Sequence, residues 1–338
     1  MMTKRIIIGI QLICRMTIQC IISKNRTAIM GFAMISIMLS HQPFFYDNHV
    51  VGFFHLFGFW GVEVFLFVSG FGIVHSLKKN SVKTYYKNRL KRLLPSCLLA
   101  GLCKYVFVQF DFFSHCSQST FLLLTNIYLW YIYAILVYYL LAPFLYKILN
   151  KNSIVVFIGV CLFSLGCNYI PFSDSDVYFI QYAGWVTARL PVFVLGMIYA
   201  LRPINISLRT TVIIGILVYI LCMILQLGSI MVRFQWEIPH RNLLIQFSAP
   251  MLCVLSGYMN ILAGKLKLSK IPTFFGTLSL EIYLWHEYIY WNIHDDMRVS
   301  NMNTYVQCAV AVGISILFAY ITHLMATFIQ NRDWKGWG

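Results

Sequence analysis

Nine ionisable side chains fall inside the long apolar runs of this sequence, and they are the residues that could do chemistry: His41, Glu63, His75, Lys104, Arg189, Glu281, His286, Glu287 and His323. An ionisable group is costly to bury in an apolar helix, so each of them is a candidate for a functional site. The simpler interpretation of any single one is a hydrogen bond to a neighbouring helix. A lone histidine such as His323 fits that interpretation, and Arg189 could simply pair with Glu281.

His41 and Glu63 have the types and positions that acid–base catalysis needs. His41 ends the first apolar run, in MGFAMISIMLSHQPF, and Glu63 lies near the start of the second, in GVEVFLFVSGF. Two adjacent antiparallel helices would bring these side chains to similar depth. A carboxylate beside a histidine orients the ring and stabilises its protonated form, so the histidine can act as a general base near neutral pH. We therefore predict His41 as the catalytic base and Glu63 as its orienting partner.

A cationic segment, YYKNRLKRLLP at 85–95, follows the second run. Arg89 and Arg92 are three residues apart, so on a helix they share one face and can both reach the oxygens of one phosphate group. The simpler interpretation is that these charges only mark one side of a membrane. At the level of the residues, both interpretations stay open.

Transmembrane helices must position these groups, because the composition is that of a chain surrounded by lipid rather than water. Of 338 residues, 59% are hydrophobic and 11% are charged, with a mean hydropathy of +0.73. The charged fraction is less than half of that in a typical soluble domain. The net charge of +15 lies in short connections between apolar runs, which argues against nucleic-acid binding. The 10 cysteines are scattered without a CxxC, so we predict no disulfide framework, no metal site and no bound cofactor.

Ten apolar runs are long enough to cross a lipid bilayer, which takes roughly 20 residues each. Alternate connections between the runs lie on opposite sides of the membrane. One side, with the segments before the first run and after the last run, carries 21 Lys and Arg residues, and the connections on the other side carry 3. By the positive-inside rule, both termini are cytoplasmic. We predict an all-α polytopic bundle, with a cytoplasmic or interfacial segment at 1–23, a transmembrane domain at 24–330 and a short tail at 331–338. The predicted spans are 28–44, 59–77, 94–110, 121–145, 154–171, 178–201, 210–231, 243–263, 273–293 and 304–329.

Four segments together resemble the acyltransferase-3 family of bacterial membrane acyltransferases. The first run ends in a histidine, and FFHLFGFWGVEVFLFVSGFGI is similar to the family's run ending in Ser-Gly-Phe. YYKNRLKRLLP is similar to its Tyr-x-x-Arg-x-x-Arg-x-x-Pro segment, and GTLSLEIYLWHEY to its late helix with Ile-Tyr-Leu-x-His. The order and spacing extend over about residues 24 to 330. The resemblance implies a membrane enzyme that moves an acyl group, usually acetyl, from acetyl-CoA or another acyl-CoA. It also implies the bacterial inner membrane as the location, and a hydroxyl of a cell-envelope glycan or lipid-linked saccharide as the acceptor.

The resemblance also implies roles for particular residues. His41 would be the essential histidine, acting as general base or as a transient acyl carrier, and Glu63 the acidic member of the second run. Arg89 and Arg92 would be the arginine pair that binds the donor, with Ser69 of the Ser-Gly-Phe beside it.

Three further residues are candidates for an acceptor or second site, namely His286, the late histidine, with Glu281 and Arg189. One position departs from the family pattern. Many members carry an arginine eleven residues before the essential histidine, and this chain has Met30 there, with Arg26 one helical turn earlier.

A transporter or flippase for a lipid-linked sugar is the alternative from another class of protein. It would use the same buried charges as a path for its substrate. Such proteins often have repeated halves, or helices broken by Gly and Pro at matching positions. The sequence has neither feature, so the enzyme remains the favoured interpretation.

Overall fold

The structure is a computed structural model and describes residues 17–44, 60–109, 130–168, 178–202, 210–218, 220–221, 224, 246–295 and 302–332. Within this part of the chain every regular element is a helix, so the predicted all-α fold is confirmed. The helices are α1 (Ile18–His41), α2 (Trp60–Lys79), α3 (Val82–Gln109), α4 (Trp130–Lys151), α5 (Ser153–Asn168), α6 (Tyr178–Leu201), α7 (Ala249–Lys265), α8 (Lys270–Thr277), α9 (Ser279–Asp295) and α10 (Thr304–Asn331). A further helical stretch covers 210–218.

Four of the described helices are long and apolar enough to cross a membrane: α2, α4, residues Ala183–Leu201 of α6, and α10. Large apolar side chains such as Leu140, Ile154 and Phe328 point outward and are more than half exposed. In water such a surface would be unfavourable, whereas in lipid it is the expected one. The number of spans and the orientation remain predictions.

Glycines allow the central helices to approach each other closely. A Cβ atom on Gly70 would collide with the carbonyl oxygen of Phe193 in α6, and a Cβ on Gly196 would collide with that of Phe67 in α2. Only glycine permits this backbone contact between α2 and α6. Gly70, the middle residue of the Ser-Gly-Phe segment, is therefore a packing residue that sets the position of its neighbours.

Helix α6 continues through Pro191, which lies within the predicted sixth span. A proline inside a helix leaves backbone groups of the preceding turn without their usual partners. The side chain of Gln246 supplies them: its Nε2 donates to the Ala188 carbonyl at 2.7 Å, and its Oε1 accepts from the Val192 amide at 2.9 Å. These two hydrogen bonds lie on either side of Arg189 in the backbone of α6.

The predicted ninth span, 273–293, is wrong as a single helix. The structure has two helices there, with α8 ending at Thr277 and α9 beginning at Ser279. Helix α8 packs on α1, where a Cβ on Gly276 would collide with the Thr27 carbonyl oxygen. A turn at Leu278 separates the two helices. At the amino-terminal end, α1 starts one residue after its cap, Thr17, so most of the predicted segment 1–23 lies outside the described residues.

Candidate functional site

The structure brings His41, the last residue of α1, into contact with His286 of α9. Nδ1 of His41 lies 3.0 Å from Nε2 of His286, and their ring centroids are 5.2 Å apart. His286 is completely buried, while His41 is partly exposed. The contact joins two of the residues that the sequence singled out, although it predicted no pairing between them.

The hydrogen bonds of His286 determine which nitrogen of each ring carries a proton. Its Nδ1 lies 3.0 Å from the carbonyl oxygens of both Ile282 and Tyr283. A carbonyl oxygen only accepts, so this nitrogen must carry the hydrogen, and Nε2 of the neutral ring is then an acceptor. Nδ1 of His41 must therefore donate to it. The consequence is that Nε2 is the unprotonated nitrogen of a neutral His41, as a general base requires.

Glu287 is the carboxylate beside this histidine pair. Its carboxylate oxygen and the ligand nitrogens of His41 and His286 all lie within 4.8 Å of one another. Two imidazoles and one carboxylate are also the groups with which a catalytic zinc ion is bound. The sequence predicted no metal site, yet these three side chains are the ones in the described residues that could hold an ion.

The structure does not bring Glu63 to His41, contrary to the predicted pairing. Oε1 of Glu63 accepts from Nε of Arg189 at 3.0 Å, and the exposed side-chain fractions are 2% and 17%. The guanidinium of Arg189 also lies over the Trp130 ring, with Cζ 4.6 Å from its centroid. Glu63 and Arg189 thus form a buried ion pair between α2 and α6.

The reason for the wrong pairing is the axial position of α1 against α2. A Cβ on Gly61 would meet the carbonyl oxygen of Ala33 and the side chain of Ile37, so this point of α2 lies beside 33–37 of α1. His41 is a full turn beyond Ile37, and Glu63 lies two residues deeper than Gly61. At 1.5 Å per residue, the two candidate residues differ in depth by about 10 Å.

Glu281 makes contacts on a different side of α9. Its Oε1 accepts from the Ser96 hydroxyl at 2.7 Å and lies 3.4 Å from Nδ1 of His323. It therefore ties α3, α9 and α10 together. The simple alternative in which Glu281 pairs with Arg189 is wrong, because Arg189 bonds Glu63.

A cavity with room for about 60 Å³ of solvent lies between α1, α2, α3, α4 and α9. It has a cationic end and an apolar middle, and Ser69 lies between them. The residues that line it are Arg26, Met30, Ile37, Val62, Phe65, Ser69, Arg89, Arg92, Leu93, Tyr131, Ile135, Tyr139, Ser279, Leu280 and Tyr283. Arg89 and Arg92 thus face one space together, as their spacing predicted.

The end of this cavity away from the arginines approaches the histidine pair. Tyr283 lines the cavity, and its ring centroid lies 5.8 Å from that of His286. Ile37 lines it as well, one turn before His41 on α1. A single space therefore extends from a cluster of guanidinium groups to the neighbourhood of two imidazoles.

Sequence reasoning missed two features of this site. Glu287 was one of the nine ionisable residues of the apolar runs but had no predicted role, although it directly follows His286 in the segment LWHEY. The sequence also predicted Glu63 as the partner of His41, whereas the structure brings His41 to an imidazole 245 residues away. Nothing local in the sequence indicates that contact.

Comparison with known proteins agrees with the earlier resemblance. A family model described as "Acyltransferase domain", the third acyltransferase family, matches residues 28–324. No curated protein and no solved structure matches the chain.

Proposed function

Because that model covers nearly the whole chain, the chain belongs to the acyltransferase-3 family, and on this premise we propose that it transfers an acyl group from acyl-CoA to a hydroxyl group, with His41 as the general base. Membership makes it an acyltransferase of the class that transfers groups other than aminoacyl groups. The donor, the acceptor and the histidine mechanism are the content of the proposal.

The continuity of the cavity is the observation that supports the proposal most directly. Arg26 and His41 are fifteen residues apart on α1, which corresponds to about 22 Å along the helix. An acyl-CoA has a phosphate-rich end and a long arm that carries the thioester. With its phosphates at Arg89 and Arg92 and its arm along the apolar middle, past Ser69, the thioester would lie near the histidines. This arrangement favours direct transfer over relay through an acyl-His41.

The reaction balances with His41 alone as the proton carrier. The acceptor hydroxyl oxygen attacks the thioester carbonyl carbon while Nε2 of His41 takes its proton. The tetrahedral intermediate then collapses, the carbon–sulfur bond breaks, and the thiolate leaves. The protonated His41 returns the proton to the sulfur. An ester and free CoA are the products, and the histidine regains its starting state.

His286 is the proposed positioning residue for this step. A base that must present Nε2 to the acceptor needs its Nδ1–H held by another group, a task that a carboxylate performs in many enzymes. Here a neutral imidazole would do it, itself held by the Ile282 and Tyr283 carbonyls. Glu63, bonded to Arg189, has no part in orienting His41 in this mechanism.

For the acceptor we propose a hydroxyl of a cell-envelope glycan or of a lipid-linked saccharide, which rests on the family resemblance. The partly exposed His41 would meet this acceptor at the far end of the cavity from the donor's phosphates. With both termini cytoplasmic, the arginine end would open to cytosolic CoA and the histidine end would face outward. The proposed location is the inner membrane of a bacterium.

Release of free CoA from acetyl-CoA tests the mechanism, with the purified chain in vesicles and an extracted membrane-saccharide fraction as acceptor. We expect His41→Ala to lower the rate by about a hundred- to ten-thousandfold, the usual contribution of a general base. His75→Ala is the matched control, because His75 is exposed on α2 and does not line the cavity. Near-normal turnover in His41→Ala would refute the mechanism. Saccharide movement without CoA release would support the transporter instead.

A further inference from the structure

We propose that Arg26 completes, with Arg89 and Arg92, a three-arginine site for a phosphate group. We also propose that the Arg26 guanidinium is positioned by packing against the backbone of Gly72. The inference rests on the proposed function, because the phosphate is assigned to the acyl-CoA donor. It adds a third binding residue, which comes from α1 rather than from the cationic segment.

All three arginines line the same cavity. Arg26 comes from α1, whereas Arg89 and Arg92 come from α3, so the guanidinium groups approach from two directions. Among the described residues lining the cavity there is no Asp or Glu. Three cations facing one space without an acidic group repel one another, and an anion between them removes that repulsion. A phosphate, with several acceptor oxygens, suits guanidinium groups better than any neutral ligand.

Two of the guanidinium groups have buried donors to spare. Nε of Arg26 and Nε of Arg89 are both buried without a hydrogen-bond partner in the described part of the chain. A buried donor that stays unsatisfied is destabilising, and native proteins rarely leave two of them together. Arg89 is further held between the rings of Tyr85 and Tyr139, with Cζ 5.6 Å from each centroid. The two rings thus hold the Arg89 guanidinium in place while its Nε donor is unused.

Gly72 gives the Arg26 side chain its place. A Cβ atom at residue 72 would lie 3.0 Å from Nη2, 3.1 Å from Cζ and 3.5 Å from Nε of Arg26. The guanidinium therefore rests against the backbone of α2 at a point where no side chain intervenes. Even an alanine there would push it by a few tenths of an ångström, and a larger side chain would displace it from the cavity.

Met30 offers a way to move the charge along the same face of α1. It lies one turn after Arg26 and also lines the cavity, nearer the apolar middle. Arg26 could matter because it places a third guanidinium in the cavity or because it stabilises the fold. In the first case, an arginine at residue 30 should restore part of the CoA affinity that is lost when Arg26 is replaced.

Equilibrium binding of CoA to the purified full chain in detergent, by calorimetry, tests the inference. We expect Arg26→Ala to weaken binding about ten- to hundredfold, the usual scale for a charge-assisted hydrogen-bonding group. Arg26→Lys should also weaken it, since a lysine cannot make the forked contact. Arg26→Ala combined with Met30→Arg should recover affinity. Lys24→Ala removes the same charge from an exposed position of α1 and should leave binding unchanged.

The contact between Gly72 and the Arg26 guanidinium is tested with Gly72→Leu, alone and together with Arg26→Ala. Gly72→Leu should weaken CoA binding, and adding it to Arg26→Ala should cause no further loss, because both changes remove the same contact. Thermal melting of each variant separates lost binding from lost folding. Independent, additive losses would refute the role of Gly72.

The remaining outcomes separate this inference from the proposed function. If the wild type binds CoA and Arg26→Ala binds it equally well, the third-arginine site is wrong and the donor proposal stands. If Arg26→Ala binds CoA more weakly than the wild type does but binds 3′-dephospho-CoA equally well, the site holds the 3′-phosphate. If the variant loses affinity for both compounds equally, the site holds the diphosphate. A wild type that binds inorganic phosphate but not CoA would overturn the donor proposal and this assignment with it.

Discussion

Replacing His286 isolates the role of the imidazole that accepts from His41. In His286→Leu, the 3.0 Å hydrogen bond disappears and Nδ1 of His41 has lost the acceptor that fixes its tautomer. In His286→Gln, an amide oxygen can still accept from His41. We therefore expect kcat to fall in the order wild type, His286→Gln, His286→Leu.

The size of the effect follows from what the contact does. One hydrogen bond between neutral groups is worth about 0.5–1.5 kcal/mol, so the loss of this bond in His286→Leu should lower kcat by about two- to tenfold at the least. The ceiling is the loss seen in His41→Ala, about a hundred- to ten-thousandfold, because His286 acts only through that base. The double variant of His41→Ala and His286→Leu should be no slower than His41→Ala alone.

The KM for acetyl-CoA distinguishes positioning from a general structural effect. The arginine end of the cavity is about 22 Å along α1 from His41, so donor binding should be unaffected. Steady-state release of CoA over a range of acetyl-CoA concentrations gives kcat and KM for each folded variant. An unchanged kcat in His286→Leu, or a rise in KM matching the loss of kcat, would refute the tautomer argument.

Three further predictions concern the fold. Glu63→Ala should lower the free energy of unfolding by about 3–5 kcal/mol, since it leaves a buried cation unpaired. The double variant of Glu63→Ala and Arg189→Met should lose less stability, because no unpaired charge remains. Thermal melting in detergent would show the difference, and equal losses would contradict it. Gln246→Leu should lower the free energy of unfolding by about 1–3 kcal/mol, because it leaves the buried Val192 amide without a partner, whereas the Ala188 carbonyl keeps its bond from the Ser164 hydroxyl; a melting temperature equal to that of the wild type would count against this role of Gln246. For the topology, a cysteine at Ser81 should react with an impermeant label only after the membrane is permeabilised, and a cysteine at Met302 should react in intact cells; the opposite pattern would reverse the orientation.

The sequence alone determined the class of protein and the features that depend on a single helix. Apolar runs and their charge asymmetry predicted a helical membrane protein, and the four motif segments indicated the family that the match over 28–324 confirms. Arg89 and Arg92 were predicted to share a face because their spacing fits one helical turn, and they do line one cavity. Such inferences succeed because helical geometry relates residues three or four apart without reference to the rest of the chain.

Only the tertiary structure decided which helices are neighbours and how far each is shifted along its axis. The predicted pairing of His41 with Glu63 assumed the right neighbouring helix and the wrong axial position, by about 10 Å, or nearly two turns. A hydrogen bond tolerates only a few tenths of an ångström, so an error of one turn exchanges every partner. The axial position is set by contacts such as that of Gly61 with Ala33, which the helical period does not encode. His286 therefore reaches His41, and Arg189 reaches Glu63, through packing between helices that are distant in the sequence.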